Sequence, residues 1–121
     1  MTWNVLFDDD FAREFGQFEP DVKIELRALI SLLVVHGPKL GRPWADTLNG
    51  SRYANMKELR FRAADGVWRA AFAFDPGRKA IVLVAGDKSG SSEKNFYRRL
   101  IRTADQRYEA HLGSLNSKES K

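Results

Sequence analysis

A chain of 121 residues is enough for one domain, and a hydrophobic fraction of 43% with charge interspersed throughout places it among folded globular proteins. It contains no cysteine, which excludes disulfide stapling, thiol catalysis and cysteine-ligated zinc, and fits a reducing cytoplasm. Lys and Arg number 20 against 16 Asp and Glu, a net charge of +4 that is compatible with a nucleic-acid partner but matters less than where the charge sits.

Met1-Thr2-Trp3-Asn4 has no basic n-region, and acids follow at Asp8, Asp9 and Asp10, so no signal peptide is expected. The apolar run from Leu29 to Val35 is interrupted by Ser31 and is too short for a bilayer. A cytoplasmic protein without a membrane partner is the expectation.

Trp3 to Phe7 reads as a short strand. Asp8-Asp9-Asp10 then caps a brief helix over Phe11 to Phe15, which Gly16 ends. Pro20 suits the first turn of a second helix, with Glu19 and Asp21 favourable at that end of its dipole. Val22, Leu26, Leu29, Ile30 and Leu33 share one face of it, and His36-Gly37-Pro38 stops it. These two helices form an αα-hairpin. Pro38 to Ser51 is a Gly-, Pro- and Asn-rich connector.

Three strand signals follow. Tyr53 to Arg62 sets Leu59 and Phe61 against Glu58, Arg60 and Arg62, and Asp65-Gly66 is a hairpin turn. Val67 to Asp75 alternates Trp68, Ala70, Phe72 and Phe74 against Val67, Arg69, Ala71 and Ala73. Asp75-Pro76-Gly77 turns the chain again, and Ala80 to Ala85 is continuously apolar, as a buried strand is. Ser91-Ser92-Glu93 opens a last helix running to about His111, with Phe96, Leu100 and Ala104 inward. The order β-α-α-β-β-β-α predicts an α+β domain over residues 1–112, with an antiparallel-rich sheet, the αα-hairpin on one face and a C-terminal helix; residues 113–121 read as a flexible tail.

Most catalytic motifs are missing. There is no phosphate-binding P-loop and no GxGxxG after a strand, so no nucleotide cofactor is expected. His36 and His111 stand far apart and suit helix C-terminal positions better than a metal site, and no serine sits on a strained elbow. What remains is cationic and aromatic. Lys57, Arg60 and Arg62 crowd the second strand, and the hairpin brings Arg60 or Arg62 opposite Arg69. Like charges facing each other on a sheet repel, and an anion such as phosphate relieves them. The plainer alternative is a solvated face with Glu58 and Asp65 as counter-ions. A second basic group comprises Lys88 and, on the last helix, Lys94, Arg98, Arg99, Arg102 and Arg107. Lys94, Arg98 and Arg102 recur every four residues with Tyr97 among them, an arrangement suited to phosphates and stacked bases, or to a solvated face.

Cleavage of a phosphodiester by its own 2′-OH needs a base, an acid and cations for the developing oxyanion. Arginines supply the last. Free Tyr and Lys titrate near 10 and are poor proton carriers at neutral pH, so such a site is a feeble ribonuclease unless its substrate arrives already aligned.

Leu40-Gly41-Arg42-Pro43, Leu48-Asn49-Gly50 and Lys57-Glu58-Leu59-Arg60 together resemble the "LG.P…L.G…KELR" stretch of HigB-like, phage-derived toxins in the RelE/ParE superfamily. Val67-Trp68-Arg69-Ala70-Ala71-Phe72 is similar to the family's "YR..F" strand. Asp75-Pro76-Gly77-Arg78, Val82 to Lys88, and Glu93-Lys94-Asn95-Phe96-Tyr97 continue the match, which covers about Phe7 to Ala110.

The resemblance implies a RelE-like fold and a type II toxin neutralised by a HigA-like helix-turn-helix antitoxin, through which alone operator DNA is bound. It implies cleavage of mRNA in the ribosomal A site without metal or other cofactor. Carried over, it makes Arg69 the phosphate-stabilising residue, Arg60 and Lys57 its supports, Lys88 an acid or charge clamp, and Tyr97 a stacking or proton-transfer residue. Arg62, Lys94, Arg98 and Arg102 are the RNA-binding candidates. Where the family often has two lysines, Glu58 follows Lys57 here, and the tail lacks a strongly basic end. The same likeness leaves open a ParE-like toxin that inhibits DNA gyrase by binding it, or a non-enzymatic phage-derived RNA- or protein-binding module.

Overall fold

The structure, a computed structural model, describes the backbone of residues 2–119 and the side chains of residues 2–116. Its elements are β1 (Asn4–Phe7), α1 (Asp9–Gly16), α2 (Pro20–His36), a 3-10 turn (Gly37–Lys39), β2 (Ala45–Thr47), β3 (Met56–Ala63), β4 (Gly66–Phe74), β5 (Lys79–Asp87) and α3 (Glu93–Glu119). The strands form one sheet in the order β1-β5-β4-β3-β2, with β1 parallel to β5 and the other pairs antiparallel. The expected α+β architecture stands, with one strand more than expected.

The sheet is covered on both faces, and strand alternation decides which residue enters which layer. Leu59, Phe61, Ala70, Phe72, Ala80 and Val82 meet Phe11, Phe15, Val22, Leu26, Leu29 and Leu33 of α1 and α2. Met56, Ala71, Ala73, Ile81 and Leu83 meet Phe96, Leu100, Ala104 and Tyr108 of α3. Fully burying a side chain such as Phe11, Leu26 or Phe72 contributes roughly 1.5–3 kcal/mol each. Asp8 caps α1 by accepting from the Phe11 N–H at 3.0 Å, and the Ser92 hydroxyl caps α3 by accepting from the Asn95 N–H at 3.2 Å.

Four expectations needed correction. β2 lies inside the stretch read as connector: it has three residues, too few for alternation to show, yet Ala45 pairs with Leu59 and is fully buried. β3 begins at Met56, because Tyr53 sits in a turn whose carbonyl accepts from the Met56 N–H. The β3–β4 hairpin turns on Ala64 and Asp65, both at positive φ, and not on Asp65-Gly66. Gly66 is instead the first residue of β4, where an added Cβ would lie 2.5 Å from the Asp87 carboxylate. Finally, α3 continues through Gly113 to Glu119. One helical glycine costs about 1 kcal/mol, and Leu112 still packs on the α3-side core. Residues 120–121 of the expected tail lie outside the described residues.

Candidate functional site

The one-residue shift of the hairpin turn decides the register of the basic residues. Ala63 pairs with Gly66, so Arg60 stands directly opposite Arg69, and Arg62 faces Val67. Alternation sends Glu58, Arg60 and Arg62 of β3 and Arg69 of β4 to the face that α3 covers. The α3-side core fills only the part of this face around Met56, Ala71 and Ala73. The hairpin end remains open.

Arg69 is 6% exposed. Its Nε donates to the Tyr97 hydroxyl at 3.2 Å and its Nη1 to the Trp68 carbonyl at 2.9 Å. Glu58, at 4% exposure, accepts from the Tyr97 hydroxyl at 2.8 Å through Oε1 and from Arg60 Nη1 at 2.9 Å through Oε2. Arg69 Nε lies 3.9 Å from the same Oε1. One buried carboxylate thus bridges two facing guanidiniums and a phenol. Arg69 Nη2 has no protein partner among the described residues. Since no buried side-chain nitrogen there lacks one, this nitrogen reaches solvent.

Arg69 lines a cavity of about 310 Å³ together with Arg42, Pro43, Arg60, Phe61, Arg62 and Val67, with no acid in its wall. A second cleft of about 240 Å³ shares Arg42 and Arg60 with it and adds Asp46, Glu58 and Tyr97. Arg42 holds Asp46 at 2.7 Å between the two. Electrostatics follow from this layout. Burial pushes the Tyr97 phenol above its ordinary value, its hydrogen bond to Glu58 adds to the rise, and Arg69 opposes it. The phenol therefore stays protonated at neutral pH, with its proton engaged by Glu58. Glu93 is held below the usual carboxylate range first by its hydrogen bond from Lys88, with Arg69 and Arg60 contributing at longer range.

The structure gathers Arg60, Arg62, Arg69 and Tyr97 at this cleft. Lys88 stands at its border: its Nζ lies 3.0 Å from Glu93, and its N–H donates to the Val67 carbonyl. Lys94, Arg98 and Arg102 are exposed, and helical geometry sets them on the flank of α3 beside Tyr97. Lys57 is not brought in. It shares the parity of Leu59 and Phe61, so it lies on the α1–α2 face, behind the sheet from Arg69.

Two other readings are corrected. Arg107 is no part of a basic surface: it donates to both oxygens of Glu14, at 2.8 and 2.6 Å, and to the Leu83 carbonyl at 2.8 Å, tying α3 to α1 and β5. His111 is not at a helix end. Its Nε2 meets the buried Asp75 carboxylate at 2.8 Å, beside the β4–β5 turn. His36 is exposed at the end of α2, as expected. Sequence reasoning treated Glu58 as a surface counter-ion and assigned Arg42 no role. The signals available were a lone acid within Lys57-Glu58-Leu59-Arg60 and an arginine beside Pro43.

A five-stranded sheet with helices on both faces and an arginine-lined cleft at its open end defines an α+β protein with a cationic cleft. Its fold matches a solved structure of the E. coli toxin RelE, a double-arginine mutant in the free state, with a TM-score of 0.60 and 14% identity over 84% of this chain and 95% of that one. Residues 13–109 match the family described as "Phage derived protein Gp49-like (DUF891)". Two Mycobacterium tuberculosis proteins, named as candidate toxins HigB3 and HigB2, are also similar. HigB3 is 45% identical over 84% of this chain and 87% of its own length, and HigB2 42% identical over 78% of this chain and 47% of its own. The chain belongs to the phage-derived Gp49-like family, is HigB-like in sequence and has a RelE-like fold.

Proposed function

We propose that this chain is the toxin of a type II toxin–antitoxin pair, that it acts in the cytoplasm on mRNA in the ribosomal A site, and that a helix-turn-helix antitoxin neutralises it. The observation that carries this reading is the Arg60–Arg69 pair, facing across β3 and β4 in the wall of a cavity that holds four arginines and no acid. Such a site fits one phosphate with further phosphates on either side.

In the reaction proposed, the 2′-oxygen of the substrate attacks the adjacent phosphorus and the bond to the 5′-oxygen breaks. The products are a 2′,3′-cyclic phosphate and a free 5′-OH. Arg69 and Arg60 stabilise the charge that grows on the non-bridging oxygens. Tyr97, kept protonated by burial and by Glu58, donates to the departing 5′-oxygen. Lys88 adds positive charge at the border, and Arg62, Lys94, Arg98 and Arg102 hold the flanking backbone. The 2′-OH proton passes to solvent water, from which Tyr97 regains the proton it gave up, and this slow route favours a substrate that the ribosome presents in line for attack.

Induction of the chain and of Arg69→Ala in a bacterial host, followed by mapping of mRNA 5′ ends, tests the reading. Codon-linked cuts and growth arrest are expected from the first and not the second. Arrest with DNA damage and no new mRNA ends would instead identify gyrase as the target. Harmless expression with retained RNA binding would leave a binding module.

A further inference from the structure

Two of the three tryptophans are packed: Trp68 stacks against Phe61 and meets Phe18 edge-on, and Trp3 meets Phe74 with the Arg78 guanidinium over its ring. Trp44 differs. It is 45% exposed and makes no ring contact among the described residues. An indole left this open forgoes burial that tryptophan ordinarily gains.

Its position gives a reason. The Arg60 N–H donates to the Trp44 carbonyl at 2.8 Å, which extends the β2–β3 ladder one residue beyond the Ala45–Leu59 pair. Trp44 therefore falls opposite Arg60, and Arg60 is opposite Arg69. Ala45 is fully buried on the α1–α2 side, so alternation sets Trp44 on the face of the two arginines. Trp44, in the turn just before β2, forms one row with Arg60 on β3 and Arg69 on β4, with adjacent strands about 4.8 Å apart. A nucleotide whose phosphate rests on Arg60 and Arg69 thus has the indole one strand away.

We propose that Trp44 is a base-stacking platform of this cleft and selects the nucleotide accepted beside the scissile phosphate. The inference rests on the mRNA-cleavage reading above. Charge favours nucleic acid over a protein as occupant, because Arg42, Arg60, Arg62 and Arg69 outnumber Asp46 and Glu58, the acids of the two adjoining clefts. Every base has a π face, and Arg42, two residues before the indole, would exchange its Asp46 contact for the neighbouring phosphate.

The test compares wild type, Trp44→Ala, Trp44→Phe and Arg69→Ala on ribosomes programmed with a defined mRNA, reading cleavage rate and the distribution of cut sites. Trp44→Ala is expected to cut about tenfold more slowly and to spread its cuts over bases that the wild type rejects, and Trp44→Phe to recover both. A merely structural role does not move base preference. Wild-type rate and pattern in Trp44→Ala, with Arg69→Ala inert, overturn the stacking role and leave the mRNA reading intact. Wild-type cutting with lost co-purification of the antitoxin makes the indole a protein-docking group and also overturns it. If the wild type cuts nothing, the mRNA reading falls and takes this inference with it. Should Trp44→Ala melt early, Trp44→Leu, which keeps apolar bulk without a π face, takes its place in the comparison.

Discussion

Arg60 and Arg69 stand directly opposite each other across β3 and β4, held together by the Glu58 carboxylate, which bonds one and lies 3.9 Å from the other. Facing like charges destabilise a sheet. Here a single buried acid offsets two guanidiniums, so the face keeps an excess of positive charge and an open Arg69 nitrogen. Part of the neutralising charge is thus built in, and in the function proposed above the remainder comes from the RNA phosphate.

Glu58→Gln removes that built-in charge while keeping the shape. The expected cost is about 2 kcal/mol, because a charged hydrogen bond from Arg60 is lost and the two guanidiniums face each other uncompensated. Added sulfate is then expected to raise the melting temperature of the variant more than that of the wild type, since an anion bound only to the folded state restores part of the balance. Equal shifts in both proteins would show that Glu58 does not neutralise this pair.

Arg69→Lys separates charge from geometry. The guanidinium reaches Tyr97 and the Trp68 carbonyl at once and still presents a free nitrogen, which a single ammonium cannot reproduce. Near-native folding with at least a tenfold loss of mRNA cleavage is expected, measured by thermal melting and by cleavage on programmed ribosomes. Full activity in the lysine variant would reduce Arg69 to a point charge.

Much of this was legible before the structure. Alternation in β4 assigned Phe72 and Ala71 to opposite layers, and the two turns fixed the neighbouring strands. The hairpin left Arg60 and Arg62 equally eligible to face Arg69, because Asp65-Gly66 is a favoured turn pair and only positive φ at Ala64 and Asp65 selects between registers. Glu58 reads as a solvated acid on a polar face until α3 returns over it, a contact 39 residues away in sequence. Lys57 shows the converse. Its nearness in sequence to Arg60 suggested a shared site, but odd spacing along a strand separates them by the thickness of the sheet. Arg107 looked like a surface residue of a basic helix and His111 like a helix C-terminal residue, because their partners, Glu14 and Asp75, belong to distant elements.

The Asp75–His111 pair sets an acid limit on stability. Burial alone pushes the Asp75 carboxyl up, but hydrogen bonds from His111 and from the Lys79 and Gly77 N–H groups outweigh it, so the folded value lies below the ordinary one. A depressed carboxylate contributes stability that is fully present above its unfolded value, about 4, and is lost as pH falls through the folded value. Asp75→Asn is therefore expected to lower stability at neutral pH and to flatten its decline below about pH 4. Chemical denaturation across pH, wild type against variant, checks this; parallel curves would remove Asp75 as a contributor.

Arg107 and Arg98 lie on one helix and make opposite predictions. Arg107→Ala strips the bidentate contact with Glu14 and leaves the Leu83 carbonyl without its donor, a loss of about 2 kcal/mol. Glu14→Ala is expected to cost less, under about 1 kcal/mol, because that carboxylate is partly exposed and the Leu83 contact survives. The double variant Lys94→Ala, Arg98→Ala removes exposed charge beside Tyr97 and is expected to leave stability within about 0.5 kcal/mol of wild type. Its defect should appear in association with RNA, largest at low salt and closing as salt rises. Thermal melts of all three variants, with binding to ribosome-bound mRNA at two salt concentrations, separate the tether from the binding flank. A double variant that melts early yet binds normally would return that flank to the solvated-surface reading.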